Sequence, residues 1–247
     1  MALSGTQVGI KIGTTNAGLV SSVKPSAKTN SITRNGIGGF VKNKITNHVF
    51  EFGWEGDVVD SSVLKLALPL NGIPPAVDIQ IHDLTYAGAH ITKLSLKGDQ
   101  NSTLTYSATA IAKSASAGAA VVPVDPGMFL VFRDATITFG DTTSKITAFA
   151  LDISTKSTAI YGTSIDPVDF QFGATEYTGT FTIAPDSSLN EILKGAGTGT
   201  SFTFSIAYPN FTISGDGVIT TESAGDIKAD GDITIVHNVK ANSIVIS

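Results

Sequence analysis

The sequence predicts a mainly β protein made of two tandem β domains, each with one short helix. Val, Ile, Thr and Phe alternate with small polar residues in runs that Gly, Asp, Asn and Ser interrupt, which is typical of half-buried strands. Two short helical patterns stand 126 residues apart in a chain of 247 residues. Charged residues make up only 15% and apolar residues 42%, which indicates that other chains cover part of the surface.

The strand patterns are distributed along the whole chain. The clearest ones cover residues 7–12, 48–54, 77–82, 90–96, 103–111, 135–139, 144–153, 176–183, 201–208, 232–236 and 243–246. In one of them Phe149, Leu151 and Ile153 alternate regularly, whereas Ile146 is out of phase. This break predicts a bulge early in that strand.

Two segments, 60–68 and 186–194, read as short helices. Each starts with Asp-Ser-Ser, continues with apolar residues at helical spacing, and stops at Pro69 or Gly195. Their common offset also aligns Gly53 with Gly179, so we expect a duplicated β-β-α-β unit; two unrelated surface helices are the alternative. The apolar residues that we expect at subunit contacts are Val63, Leu64, Leu66, Leu189, Ile192 and Leu193.

The predicted domains are residues 1–122 and 123–247, with the boundary after a run of small residues at 114–123. Residues 13–49 contain no acidic residue, and about 13–48 are predicted to form a basic loop or arm, which is either a solvated loop or an arm that docks on a neighbouring subunit. Its basic residues are Lys24, Lys28, Arg34, Lys42 and Lys44. The net charge is +3 over residues 1–123 and −8 over 124–247, an asymmetry that favours head-to-tail stacking.

Motifs for chemistry are lacking in the sequence. Cysteine is absent, the four histidines have no metal-ligand spacing, and no phosphate-binding loop or nucleophile elbow is present. The acidic stretch 215–232 fails the calcium-loop pattern, and its Asp-Gly pairs at 216 and 230 predict hairpin turns. We therefore predict no enzyme, no catalytic or metal site and no cofactor, and we expect neither a membrane segment nor a signal peptide.

Three stretches of strands and glycines carry a resemblance, and together they span roughly residues 48–208. They are YAGAHITKLSL (86–96) running into STLTYSA (102–108), FRDATITF (132–139) with ITAFALDI (146–153), and GATEYTGTFT (173–182). With the duplicated strand–helix–strand layout, they resemble the major tail tube proteins of long-tailed viruses of bacteria and archaea. The chain is longer than one tube domain, which suggests a double-domain version.

The resemblance implies two tail-tube-like β-sandwich domains, each with a flanking α-helix, that assemble into a ring with an inner β-barrel. It implies a structural virion protein of the tail, assembled in the host cytoplasm. Its partners would be copies of itself, as three-chain pseudo-hexameric or six-chain rings, other tail proteins at the tube ends, and viral DNA that passes without specific binding. The basic arm would reach the next ring. An acidic lumen or stacking face would include Asp134, Asp141, Asp152, Asp166 and Asp169.

Other classes of protein remain open at this point. Another virion structural protein, such as a tail terminator or a capsid decoration protein, would share the composition. A β-sandwich adhesin or carbohydrate-binding module would share the strand pattern as well. The duplication and the charge asymmetry favour the tube subunit over these alternatives.

Overall fold

The computed structural model describes residues 9–17, 19–35, 41–125, 127–140, 145–184, 201–227 and 233–247. These residues form a mainly β protein with one large antiparallel sheet, as the sequence predicted for the fold class. The strands are β1 (Ile10–Ile12), β2 (Thr15–Asn16), β3 (Leu19–Lys24), β4 (Lys28–Asn35), β5 (Val41–Asp57), β6 (Ala76–Ile81), β7 (Leu84–Asp99), β8 (Thr105–Ala112), β9 (Ser114–Ala117), β10 (Thr136–Phe139), β11 (Ile146–Ile160), β12 (Asp169–Ile183), β13 (Phe202–Tyr208), β14 (Phe211–Ile227), β15 (Ile233–Ala241) and β16 (Ser243–Ile246).

The long strands lie side by side in one continuous sheet, which we call the long-strand sheet. The first position is shared by β3 and β4, which lie end to end along β5. The order then continues β5, β8, β7, β11, β12, β15 and β14. Because β3 and β4 follow each other along β5, the sheet has eight strand positions. The β7–β11 pair crosses the predicted domain boundary, so both halves of the chain share this sheet.

One face of the long-strand sheet is buried and the other is open. In β5 Phe50, Phe52 and Trp54 are buried, while Glu51, between the first two, and Glu55, directly after the third, are exposed. This alternation follows from the two-residue repeat of a strand, in which successive side chains point to opposite faces. We call the side of the exposed residues the open face.

Short strands cover the buried face and complete a hydrophobic core. In the second half, the ring of Phe139 on β10 lies 4.6 Å from that of Phe181 on β12, and Phe204 on β13 lies 5.2 Å from Phe181. In the first half, Tyr86 stacks on Phe52 at 3.8 Å; it lies in the first part of β7, which pairs with the short strands β6 and β9. These contacts make each half two layers thick.

One of the two predicted helices lies in the described part of the chain. Helix α1 (Ser62–Lys65) begins after Asp60, whose Oδ1 accepts a hydrogen bond of 2.7 Å from the Ser62 N–H. Val63 and Leu64, which we expected at subunit contacts, are buried in the chain's own core, and Leu66 is partly buried against the same core. The second helical pattern, 186–194 with Leu189, Ile192 and Leu193, lies outside the described residues.

Irregular features of the first half recur in the second half. β3 has a bulge at Ser21 in its pairing with β5, and β11 has one at Thr147 in its pairing with β12, which confirms the bulge predicted near Ile146. The Ser21 hydroxyl donates to the Glu55 carbonyl at 3.2 Å, and the Thr147 hydroxyl donates to the Thr182 carbonyl at 3.3 Å. The two donors are 126 residues apart and the two acceptors 127.

A second bulge recurs in the same way. The pairing of β7 with β8 shifts at Thr92, and that of β14 with β15 shifts at Thr221. The Thr92 hydroxyl donates to the Thr109 carbonyl at 3.4 Å, and the Thr221 hydroxyl donates to the Asn238 carbonyl at 3.1 Å. The two donors are 129 residues apart, and so are the two acceptors. β7 and β8 therefore correspond to β14 and β15 with one common offset in residue number.

Two glycines that bend the longest strands also correspond. Gly88 inside β7 has φ +56°, and Gly217 inside β14, 129 residues later, has φ +59°. Positive φ is the conformation that glycine adopts without steric cost. The Asp-Gly pair at 216 was predicted as a hairpin turn, and this is wrong because Gly217 bends a continuous strand. The Asp-Gly pair at 230 lies outside the described residues.

The basic segment of about 13–48 contains strands where a loop or arm was expected. β4 and the first part of β5 pair as an antiparallel hairpin, which we call the first hairpin. Its residues 28–34 and 41–46 are exposed, so no buried apolar stripe marked it in the sequence.

Candidate functional site

The described residues offer no metal centre, and three of their four histidines have a structural partner for a ring nitrogen. No group of three or more His, Asp or Glu side chains in these residues is placed to hold a metal ion. His90 Nδ1 lies 2.7 Å from the Pro74 carbonyl oxygen, and His237 Nδ1 lies 2.8 Å from the Ser223 hydroxyl. None of the described helices is long and apolar enough to cross a membrane. The free edges and the open face of the long-strand sheet are the candidate functional surfaces.

The two halves of the chain meet along β7 and β11. Seven residue pairs form an antiparallel ladder that runs from Lys93 opposite Ser154 to Asp99 opposite Ala148. Every second pair points into the core, where side chains such as Leu96 are buried. This pairing holds the two halves in one register.

The hairpin of β11 and β12, which we call the second hairpin, also contacts the first half of the chain. His48 Nδ1 lies 2.7 Å from Asp166 Oδ1, and the His48 N–H donates to the Ile165 carbonyl at 2.7 Å. The Tyr161 hydroxyl donates to the His48 carbonyl at 2.8 Å. The loop between β11 and β12 is thus hydrogen-bonded to β5.

Charged and aromatic contacts add to these hydrogen bonds between the second hairpin and the first half. Lys113 Nζ lies 3.1 Å from Asp169 Oδ1, and its hydrogen bond lowers the pKa of the exposed Asp169 carboxyl. The ring of His90 lies 5.7 Å from Phe170 and 4.8 Å from Phe172, and His90 is only 6% exposed. We call the β7–β11 ladder and these hairpin contacts together the internal joint.

Both ends of the long-strand sheet are free in the described residues. β15 and β16 follow one another along one side of β14, and β13 pairs with its other side only as far as Val218. From 219 to 227, this other side of β14 has no partner strand among the described residues. β3 pairs with β5 on one side, and no described strand pairs with its other side. Unpaired backbone N–H and C=O groups of this kind bind further strands.

Large apolar side chains are exposed close to both free edges. On the first hairpin Ile32 is 50%, Val41 59% and Ile45 51% exposed, and on β14 Ile219 is 46% exposed. Exposed apolar residues beside a free strand edge are a common feature of surfaces that bind another protein.

The structure brings most of the predicted basic residues together. Lys28, Arg34, Lys42 and Lys44 are exposed on the first hairpin. Lys24 lies on β3, with its Nζ 3.8 Å from Glu55 Oε1 on the open face.

The predicted acidic residues are not brought together. Asp152 lies on the open face, whereas Asp134 ends a 3₁₀ turn and Asp166 and Asp169 bind the first half in the internal joint. Asp141 lies outside the described residues. These residues therefore do not form one acidic surface.

Sequence reasoning missed most charges of the open face. Its acidic side chains among the described residues are Glu51, Glu55, Asp57, Asp99, Asp152, Glu176 and Glu222. Its basic side chains are Lys24, Lys28, Lys93, Lys97, Lys156 and Lys240. Ser and Thr occupy much of the remaining face. The signal that could have found these residues is their alternation with buried apolar residues such as Phe52 and Leu96.

Comparisons with known proteins add no family to this description. No protein-family model matches the chain, and no curated protein shows significant sequence similarity to it.

Proposed function

We propose that this chain is a structural virion protein, the subunit of the hollow tail tube of a long-tailed virus, whose rings stack into a channel for DNA. The observation that carries the proposal is the long-strand sheet, which has a polar open face and a free edge at each end. A free edge is satisfied only by another strand, and closure into a barrel leaves no edge.

The recurrence of bulges and glycines supports two tandem β-sandwich domains, 1–122 and 123–247. Each domain would contribute four strand positions to the long-strand sheet. The internal joint would then be the contact between two neighbouring domains of a ring, covalently linked because they belong to one chain. A ring built from such domains closes by heterologous contacts between identical copies.

The number of strands favours three chains in each ring. Three chains of eight strand positions give 24 strands. With a strand spacing of ~4.8 Å and a tilt of ~40°, these strands close into a barrel whose backbone-to-backbone diameter is about 48 Å. Six chains would double this width to about 95 Å. Once side chains line the wall, the smaller barrel leaves room for one DNA duplex. We therefore propose a three-chain, pseudo-hexameric ring.

The open face would line the lumen of this barrel. It carries seven carboxylates and six lysines among the described residues, separated by Ser and Thr. A wall with a small negative excess repels phosphate groups weakly, so that DNA passes without specific binding.

The first hairpin supplies a stacking contact in this proposal. Lys42 and Lys44 alternate with Ile45 along β5, so they point to the opposite side of the hairpin. Their exposed charges would reach the acidic second half of a chain in the next ring. Other tail proteins would bind the two ends of the tube, and the complete tail would be assembled in the host cytoplasm.

Negative-stain microscopy and native mass spectrometry of the purified protein test the proposal. We expect hollow tubes, and closed rings with three times the mass of the 25.5 kDa chain. Rings that never stack would favour a tail terminator, and rings of six chains would contradict the proposed ring size. Single copies at every concentration would contradict the tube function; a glycan array would then test the adhesin alternative.

A further inference from the structure

We propose that copies of this chain join by repeating the internal joint, with the free edge of β14 of one copy paired antiparallel to the β3–β4 edge of the next copy. The inference rests on the proposed function, because it takes a second copy of the chain as the occupant of each free edge. It adds the strands, the register and the contact residues of the joint.

The matched bulges determine the register. Lys93 is the first residue after the β7 bulge, and it pairs with Ser154 in the internal joint. The first residue after the β14 bulge is Glu222, which lies 129 residues after Lys93 in the sequence. The position in the first half that corresponds to Ser154, 126 residues earlier, is Lys28. In the joint between copies, Glu222 therefore pairs with Lys28.

The next pair on the same face follows directly. In the internal joint Ser95 pairs with Asp152. The corresponding residues are Ala224 on β14 and Ser26 between β3 and β4. Ala224 is exposed and Ser26 is half-buried in the lone chain, so an approaching strand can reach both.

The charges in this register are complementary. Glu222 and Lys28 are both exposed, and Glu222 Oε2 accepts a 3.0 Å hydrogen bond from the Asn238 side chain, which orients the carboxylate. Opposite charges directly across two antiparallel strands stabilise the pairing, whereas like charges oppose it. A register one residue away would break this match and turn each side chain to the other face.

The hairpin contact is complementary as well. In the internal joint, Phe172 of the second hairpin covers His90. The residue that corresponds to His90 on β14 is Ile219, and the residue that corresponds to Phe172 on the first hairpin is Ile45. Both isoleucines are about half exposed in the lone chain. The repeated joint places Ile45 of one copy on Ile219 of the next, which buries both.

One sequence difference between the two halves makes the joint between copies weaker than the internal joint. Pro25 takes the position of Leu151 and has no N–H to donate. Proline on an edge strand is a common protection against premature pairing. The edge can thus stay unpaired until another copy supplies the whole surface.

Disulfide cross-linking tests the register in a chain that has no cysteine of its own. The variant carrying Ala224→Cys and Ser26→Cys, oxidised after assembly, should form disulfides between copies. Directly opposed residues of an antiparallel pair lie within the Cα distance that a disulfide spans. The matched positive control is Ser95→Cys with Asp152→Cys, which should link within one chain. Ala224→Cys with Thr33→Cys, far out of register, should not link.

The outcomes separate this inference from the proposed function. A ladder of covalent multimers that ends at a closed ring supports both. Tubes in which the 224–26 pair links no better than the 224–33 pair, while the 95–152 control links, would overturn the inference and leave the tube function standing. If the unmodified chain never assembles, both fail.

A charge exchange provides a second test that does not depend on oxidation. Lys28→Glu or Glu222→Lys alone should weaken assembly, because each puts like charges across the joint. The double exchange should restore assembly, since it recreates an opposed pair. An unrestored double exchange, with folding intact, would overturn the proposed register.

Discussion

Ile219→Asp should weaken the joining of copies without unfolding the chain. Full burial of an isoleucine contributes about 1.5–3 kcal/mol, so covering the exposed half of Ile219 and of Ile45 contributes about 2 kcal/mol to each joint. That corresponds to about a 30-fold change in the association constant of one joint. The aspartate adds the cost of bringing a carboxylate against Ile45.

Sedimentation velocity over a range of concentrations measures this effect. The concentration at which half of the protein is assembled should rise by at least about 30-fold. The free energy of unfolding of the single chain should change by less than about 0.5 kcal/mol, as is usual for exposed sites. Unchanged assembly of Ile219→Asp would refute the idea that the exposed isoleucines meet.

A matched control is available in the same half of the chain. Val245 on β16 is 55% exposed, which is close to the exposure of Ile219. Its counterpart in the first half is Ser116, which stays exposed beside the internal joint. Val245→Asp should therefore leave assembly unchanged.

Three further predictions follow. Phe181→Ala removes a fully buried ring and should lower the free energy of unfolding by about 3–5 kcal/mol in chemical denaturation. Burial raises the pKa of Tyr106 from 10.0 to about 12, so the folded state keeps a proton that the unfolded chain loses. Stability should therefore fall as the pH rises from about 10 to about 12, and denaturation of Tyr106→Phe should lose this part of the decline. Lys42→Glu with Lys44→Glu should shorten tubes in micrographs, less so at high salt, and unchanged tube length would contradict the stacking role.

The core strands could be predicted because their side chains alternate. Phe50, Phe52 and Trp54 on β5 repeat every second residue, and all three are buried in the sheet. Such a pattern depends only on the two faces of a strand, which the sequence records directly. The bulge near Ile146 was visible for the same reason, because it shifts the alternation by one residue.

Strands that are exposed on both faces could not be predicted in this way. Residues 28–34 and 41–46 of the first hairpin are exposed on both faces, and apolar residues such as Ile32 and Ile45 are too scattered among polar ones to give a period. The hairpin is held by backbone pairing, which leaves no trace in composition. In β14, Gly217 resembles a turn residue but bends a long strand, and only its partner strands reveal this.

The correspondence between the halves was partly visible in the sequence. The offset of 126 aligned Gly53 with Gly179, but the buried faces of β5 and β12 correspond with an offset of 127, which matches Trp54 to Phe181. Sequence identity favours the first alignment, whereas burial requires the second. The edge residues Lys28 and Glu222 could not be paired until the bulges had fixed the register.

Electron cryomicroscopy of the assembled protein tests the central claim most directly. The account predicts threefold rings in which β14 of each chain lies beside β3 and β4 of the next, with Glu222 opposite Lys28 and the open face towards the lumen. Density in which these two edges face solvent, or in which the chains meet through other surfaces, would contradict it.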